Sequence, residues 1–173
     1  IGQVGDFTNY YKGNTSYFDP ILWKNNKQNQ YKGYCSDIFA ENAIEFIEKN
    51  KNNSFFCYLS FNAPHTPLQV PEKYYNMYKD LDPELGFKGG SLALKMSKKD
   101  KEDARRIYGM LTNIDDNFGK VLNKLTELGI EEDTIIIFMT DNGPQQFRYN
   151  SNMKGLKGTV YNGCTRVPFY IKY

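Results

Sequence analysis

Three short stretches hold side chains that could do chemistry. Thr134-Ile-Ile-Ile-Phe-Met-Thr140 runs straight into Asp141-Asn142-Gly143-Pro144. A carboxylate and an amide at the end of an apolar run offer hard oxygen donors, the kind Ca²⁺ or Mg²⁺ accepts. All four residues are also turn formers, so a plain tight turn competes with that reading. His65, the only histidine, stands in Asn62-Ala-Pro-His-Thr-Pro67. Proline holds its own φ and restricts the residue before it, so the imidazole is mounted on a stiff loop. Such a mount suits a proton donor or an anion ligand; a loop histidine bonded to a nearby carbonyl is the alternative. Lys157 lies in Lys154-Gly-Leu-Lys-Gly158. Glycines there let the backbone approach a ligand while the ammonium meets an anion, against the plain reading of a solvated loop lysine.

These residues need elements to bring them together. Residues 134–140 read as a strand buried on both faces, and Phe55-Phe-Cys-Tyr-Leu-Ser-Phe61 as a second. Ser36-Asp37 is a plausible capped helix start, followed by an apolar face of Ile38, Phe39, Ala43, Ile44 and Ile47 that ends at Asn50–Asn53. The longest helix spans Ser97 to Leu128. It has a capping-box pair Ser97/Asp100, a stop at Gly129, and a face of Ile107, Leu111, Ile114, Phe118, Val121, Leu122, Leu125 and Leu128. Asp115 and Asp116 on it diverge by about a hundred degrees, so they read as solvent or loop contacts rather than a metal pair. Strand 55–61, this helix and strand 134–140 make a crossover, which predicts parallel strands. His65 and Asp141–Asn142 then leave the same sheet edge, where open α/β sheets bind ligands.

The remaining segments carry weaker signals. Asp6–Asp19 reads as loop, Ile21–Trp23 as an edge strand turned by Asn25–Lys27, and Pro71 as the start of a short helix through Tyr78. Residues 80–97 read as an irregular insertion. Residues 143–166 form a long loop, the kind that is usually functional or disordered, and 167–172 a third apolar strand. At 173 residues one domain is expected. A net charge of +2 gives no argument for nucleic acid. No apolar run reaches transmembrane length. Cys35, Cys57 and Cys164 fit no zinc spacing; Cys57, inside an apolar run, reads as a small buried hydrophobe.

Taken together, Phe61-Asn-Ala-Pro-His-Thr-Pro67, Met110-Leu-Thr-Asn-Ile-Asp-Asp116, Phe138-Met-Thr-Asp-Asn-Gly143 and Lys157-Gly-Thr-Val-Tyr-Asn-Gly-Cys-Thr-Arg-Val-Pro168 resemble, in order and spacing, the type I sulfatases of the alkaline phosphatase superfamily. The resemblance implies an incomplete three-layer α/β/α sandwich with a mostly parallel sheet, and hydrolysis of sulfate esters of a small molecule or glycan. It assigns Asp141 and Asn142 to half of a Ca²⁺ (or Mg²⁺) site. It makes His65 a general acid near the leaving oxygen and Lys157 a sulfate contact, so that both bind substrate. The family's nucleophile is a formylglycine made in a Cys/Ser-x-Pro/Ala-x-Arg motif. No cysteine or serine here has that setting, and the family's Asp-Asp metal ligands and Gly-Lys-Trp-His segment are absent. Residues 1–173 are therefore expected to be a partial catalytic domain, lacking the nucleophile segment and the carboxy-terminal subdomain, and inactive alone. Where the family usually has Glu-Gly-Gly, this chain has Asn162-Gly163-Cys164, which implies altered loop packing. The family location is periplasmic or secreted; the sequence leaves compartment and oligomeric state open. A phosphodiesterase or phosphonate hydrolase of the same superfamily, a non-catalytic glycan-binding domain and a purely structural α/β domain are the competing readings.

Overall fold

The computed structural model describes residues 16–87 and 95–173. The expected loop at Asp6–Asp19 lies mostly outside them, as does the Gly89–Gly90 part of the 80–97 insertion. The chain opens with a hairpin, β1 (Ile21–Lys24) paired antiparallel with β2 (Lys27–Gln30), Ile21 opposite Gln30. Asn25 and Asn26 turn it with φ of 52° and 63°, the left-handed pair that a two-residue hairpin loop demands.

Two helices form the framework. α1 covers Cys35–Asn50 and buries Ile38, Ala40, Ala43 and Ile47. Its start corrects the sequence expectation. Tyr34 occupies the cap position, with no side-chain cap bond. The carboxylate of Asp37 instead accepts Nδ2–H bonds from Asn113 (2.7 Å) and Asn117 (2.6 Å) of the long helix. Both asparagines are fully buried, and a buried amide donor needs an acceptor, so the tertiary bond wins over the local cap.

That long helix, α3, is Lys98–Glu127. Its ends are as expected. Ser97 Oγ accepts from Asp100 N at 3.0 Å, and the Asp100 carboxylate accepts from Ser97 N at 3.1 Å. At the other end Gly129 takes φ 69°, with Gly129 N to Thr126 O at 3.0 Å and Ile130 N to Leu125 O at 3.1 Å, the paired bonds of a Schellman stop. The apolar face is displaced at one point: Met110 is fully buried and Leu111 is 42 % exposed. Asp115 faces solvent, whereas Asp116 accepts a 2.7 Å bond from the hydroxyl of Tyr74. Tyr74 belongs to α2 (Glu72–Tyr75), which starts after Pro71; a 3-10 helix follows at Pro83–Phe87.

The strand expectations need a larger correction. Residues 54–62 carry no regular secondary structure. Their burial still alternates: Phe55, Leu59 and Phe61 pack on the core, while Phe56 and Tyr58 are 84 % and 74 % exposed. β3 is Ile136–Met139 and pairs antiparallel with β4 (Phe169–Lys172), Phe138 opposite Tyr170. Both strand pairs among the described residues are antiparallel, so the parallel ladder between 55–61 and 134–140 is not formed there. Nor is β3 buried on both faces. Phe138 packs on Phe118 of α3 (ring centroids 5.2 Å), while Ile135, Ile137 and Met139 are all more than half exposed. One face of each segment finds the helices; nothing among the described residues covers the other.

The core consists of two clusters threaded by α3. One gathers Tyr17, Leu22, Tyr34, Cys35, Ile38, Ala63, Met110 and Ile114, with Phe61 and Phe138 against it. The other gathers Ile47, Val121 and Leu125, with Phe55, Leu59 and Ile136 against it.

Candidate active site

Asp141 and Asn142 follow β3 directly. Asp141 Oδ1 accepts from Asn142 N at 2.8 Å, and Asn142 Nδ2 donates to Gly143 O at 2.8 Å. Asp141 Oδ2 and Asn142 Oδ1 thus take no hydrogen bond among the described residues, leaving two hard oxygens available on adjacent residues.

The long loop beyond them is folded tightly on itself. Lys157 N donates to Pro144 O at 2.8 Å, Gly143 N to Cys164 O at 2.8 Å, and Gly163 N to Lys154 O at 2.8 Å. Glycine is required at two of these crossings. A Cβ on Gly143 would stand 1.8 Å from Gly163 O, and one on Gly163 would stand 2.1 Å from Gly155 O. Asn150 Nδ2 adds a bond to Met153 O at 2.9 Å. α4 (Asn162–Thr165) closes the loop, with Gly163 buried. The Asn162-Gly163-Cys164 stretch therefore serves as the packing floor of this loop. The result is that Lys157, exposed and in no ion pair among the described residues, is held beside the Asp141–Asn142 pair by backbone bonds.

His65 arrives on another segment. The peptide bonds Ala63–Pro64 and Thr66–Pro67 are both cis. His65 N donates to Asn62 O at 3.0 Å, and the Tyr17 hydroxyl donates to His65 O at 2.9 Å. Nδ1 lies 2.8 Å from Thr66 O. A carbonyl only accepts, so Nδ1 carries the proton and Nε2 is the basic nitrogen. The ring itself is exposed. Gln69 steadies the loop, its Oε1 accepting from Tyr17 N at 2.7 Å and its carbonyl from the Tyr34 hydroxyl at 2.9 Å. The backbone ties join Lys157 to the Asp141–Asn142 pair. His65 reaches them only indirectly, because Ala63 and Phe138 pack in one cluster.

Among the described residues no group of three or more His, Cys, Asp or Glu is assembled. The donor chemistry of Asp141 and Asn142 fits part of a hard-cation site and no more. The three cysteines are free thiols; burial pushes Cys35 up to about 12 and raises Cys57 as well. Two features escaped the sequence reading. One is the Asp37–Asn113–Asn117 network, whose signal was two asparagines four apart on a helix face otherwise apolar. The other is Arg148, a half-buried cation inside the 143–157 loop, which carries no periodic signal at all.

The family model for sulfatases matches residues 3–173. The chain is 31 % identical over 161 residues to an arylsulfatase of Clostridium perfringens (strain 13 / Type A), covering 80 % of this chain and 33 % of that protein. It is 29 % identical to an ulvan-active sulfatase of Formosa agariphila, covering 89 % and 30 %. Among solved structures it resembles Ps i-CgsB in complex with k-i-k-neocarrahexaose, at TM-score 0.71 and 28 % identity, covering 96 % of this chain and 34 % of that one. The chain spans about a third of the length of each. The shared architecture and a family match over nearly every residue lead to one statement: this chain belongs to the sulfatase family.

Proposed function

We propose that the complete polypeptide carrying this chain is a sulfuric ester hydrolase acting on sulfated carbohydrates or aryl sulfates, with Asp141, Asn142, Lys157 and His65 in its active site. The observation that carries this reading is the 2.8 Å bond from Lys157 N to Pro144 O, which ties the backbone of Lys157 to the turn that begins with Asp141 and Asn142. The names of the relatives, an arylsulfatase and an ulvan-active sulfatase, support the substrate class.

In this reading Asp141 and Asn142 supply two oxygens to a Ca²⁺ or Mg²⁺ ion. Once bound, the ion adds positive charge where a sulfate and its attacking group meet. Lys157 compensates charge on the transferring sulfate, and preorganised cations of this kind act most strongly where water is excluded. His65, with Nε2 as its variable nitrogen, holds the proton that the departing oxygen needs. No residue of this chain has the setting for a formylglycine, so no nucleophilic step is assigned to it. Residues 1–173 then form part of a catalytic domain and do not turn over substrate alone.

The test is an assay of an aryl sulfate and a sulfated sugar with the complete gene product and with the 173-residue chain. Turnover by the complete protein alone is the expected result. Turnover by the isolated chain, or a complete protein that cleaves phosphodiesters and leaves sulfate esters intact, overturns the reading.

A further inference from the structure

The loop that carries His65 keeps its own shape through short bonds. His65 N donates to Asn62 O at 3.0 Å, the imidazole Nδ1 lies 2.8 Å from Thr66 O, and Gln69 N donates to Pro67 O at 2.8 Å. These bonds fix the ring relative to its own backbone. They do not fix the loop relative to the helices. Two tyrosines far upstream in the chain do that. The Tyr17 hydroxyl donates to His65 O at 2.9 Å, and Tyr17 N donates to Gln69 Oε1 at 2.7 Å. The Tyr34 hydroxyl donates to Gln69 O at 2.9 Å. A longer contact, Arg106 Nη1 to Leu68 O at 3.5 Å, comes from α3.

Tyr17 is itself firmly seated. It is 6 % exposed. Its carbonyl accepts from Cys35 N, at the first residue of α1, at 2.7 Å. Its ring stacks on that of Tyr34, with centroids 5.7 Å apart and planes 23° from parallel. Phe18 next to it forms a β-bridge with Tyr34. α1 is in turn bound to α3 through Asp37, Asn113 and Asn117. A continuous run of hydrogen bonds therefore leads from the two-helix framework through Tyr17 to the carbonyl of His65. A side chain locked by packing and by further bonds makes a precise mount. The carbonyl of His65 and its side chain leave the same Cα, so a shift of that peptide plane turns the imidazole.

We propose that Tyr17 is a positioning residue for His65. Its hydroxyl, seated by Tyr34 and Gln69, sets where Nε2 points and so how well the proton held there meets the departing oxygen. The inference rests on the role proposed for His65 in ester hydrolysis. Proton donation matters in proportion to the basicity of the departing oxygen. A sugar alkoxide needs the proton, whereas a nitrophenolate leaves well without it. Misplacement of Nε2 therefore has a signature that plain destabilisation lacks. The loss falls on kcat, and on the ester with the poorer leaving group.

The test uses the complete gene product and two esters, a sulfated sugar and 4-nitrophenyl sulfate. Tyr17→Phe keeps the ring and its stacking and removes only the hydroxyl. Its kcat should fall about tenfold on the sugar and at most about twofold on the aryl ester, with both KM values unchanged. Gln69→Leu, which removes the acceptor for Tyr17 N, should show the same selective loss. In a His65→Ala background Tyr17→Phe should change nothing further, because the group it positions is gone. Equal losses on both esters, a raised KM, no loss on the sugar, or a fully additive loss in the His65→Ala background overturns the proposal. If wild-type protein cleaves one ester only, the His65→Ala comparison is read on that ester. If it cleaves neither, the hydrolase reading fails separately, and amide hydrogen exchange decides for Tyr17. A His65 amide that exchanges at least about tenfold faster in Tyr17→Phe upholds the anchoring, and an unchanged rate sinks it.

Discussion

Gly143→Ala is the sharpest probe of how the site is held. A Cβ at this position would lie 1.8 Å from Gly163 O, 2.8 Å from Gly163 C and 3.0 Å from Cys164 Cα. All three are backbone atoms, so no side-chain rotation relieves the contact. Restoring an ordinary separation of 3.4 Å requires the two strands of the loop to part by about 1.6 Å. The bond from Gly143 N to Cys164 O, now 2.8 Å, cannot survive that. Overpacking of this kind costs about 1–3 kcal/mol, and the lost hydrogen bond about 1 kcal/mol more. The loop should therefore open locally, carrying Lys157 away from Asp141 and Asn142. Amide hydrogen exchange reads this directly. The amides of Gly143, Lys157 and Gly163, all donors across the loop, should exchange at least about tenfold faster, while those of Ile107 and Met110 in α3 keep their protection. Gly119→Ala is the matched control. Nothing lies within 4 Å of its added Cβ, so removing a glycine inside α3 should stabilise by about 0.5–1 kcal/mol. Unchanged exchange at Gly143 and Lys157, or equal acceleration throughout α3, would refute the idea that this crossing positions the lysine.

Further outcomes follow from the core. Asp37→Ala takes the acceptor from one Nδ2–H of each of the buried Asn113 and Asn117, although Asn117 Nδ2 keeps its 2.9 Å bond to Asn113 O, and chemical denaturation should show a loss of about 2–6 kcal/mol, about 1–3 for each orphaned donor. Ser97→Ala removes one half of the α3 capping box and should lower stability by about 1 kcal/mol, measured by thermal melting. The Cys35 thiol, ordinarily near 9, is pushed up to about 12 by burial. Below pH 9 folded and unfolded thiols are both neutral and the group leaves stability alone. Above that only the unfolded thiol ionises, so stability falls as pH climbs from 9 toward 12, by up to about 1.4 kcal/mol per unit. Alkaline denaturation of Cys35→Ala should show a shallower decline. An aromatic disulfide reagent should label Cys164 before Cys35, which is 4 % exposed.

Much of the local structure could be read without coordinates because local chemistry decides it. The Asn25-Asn26 turn, the Ser97/Asp100 box and the Gly129 stop each depend on residues within a few positions of one another, and each formed as expected. The apolar faces of α1 and α3 followed from their spacing for the same reason. The strands did not, since an apolar run states that a segment will be covered but not by what. Residues 54–62 and β3 met the helices on one side and no neighbour on the other, so one lost its ladder and the other its second covering.

The candidate site divides the same way. Residue type and spacing singled out His65, Asp141, Asn142 and Lys157, because stiff prolines, turn formers and glycines mark where backbone departs from regular structure. Whether these residues meet was beyond the sequence. Closure of the 143–166 loop depends on backbone-to-backbone contacts at Gly143 and Gly163, which leave only the absence of a side chain as their trace. Asp37 was decided by tertiary structure too. The local pattern favoured a helix cap, but two fully buried amides on α3 required an acceptor.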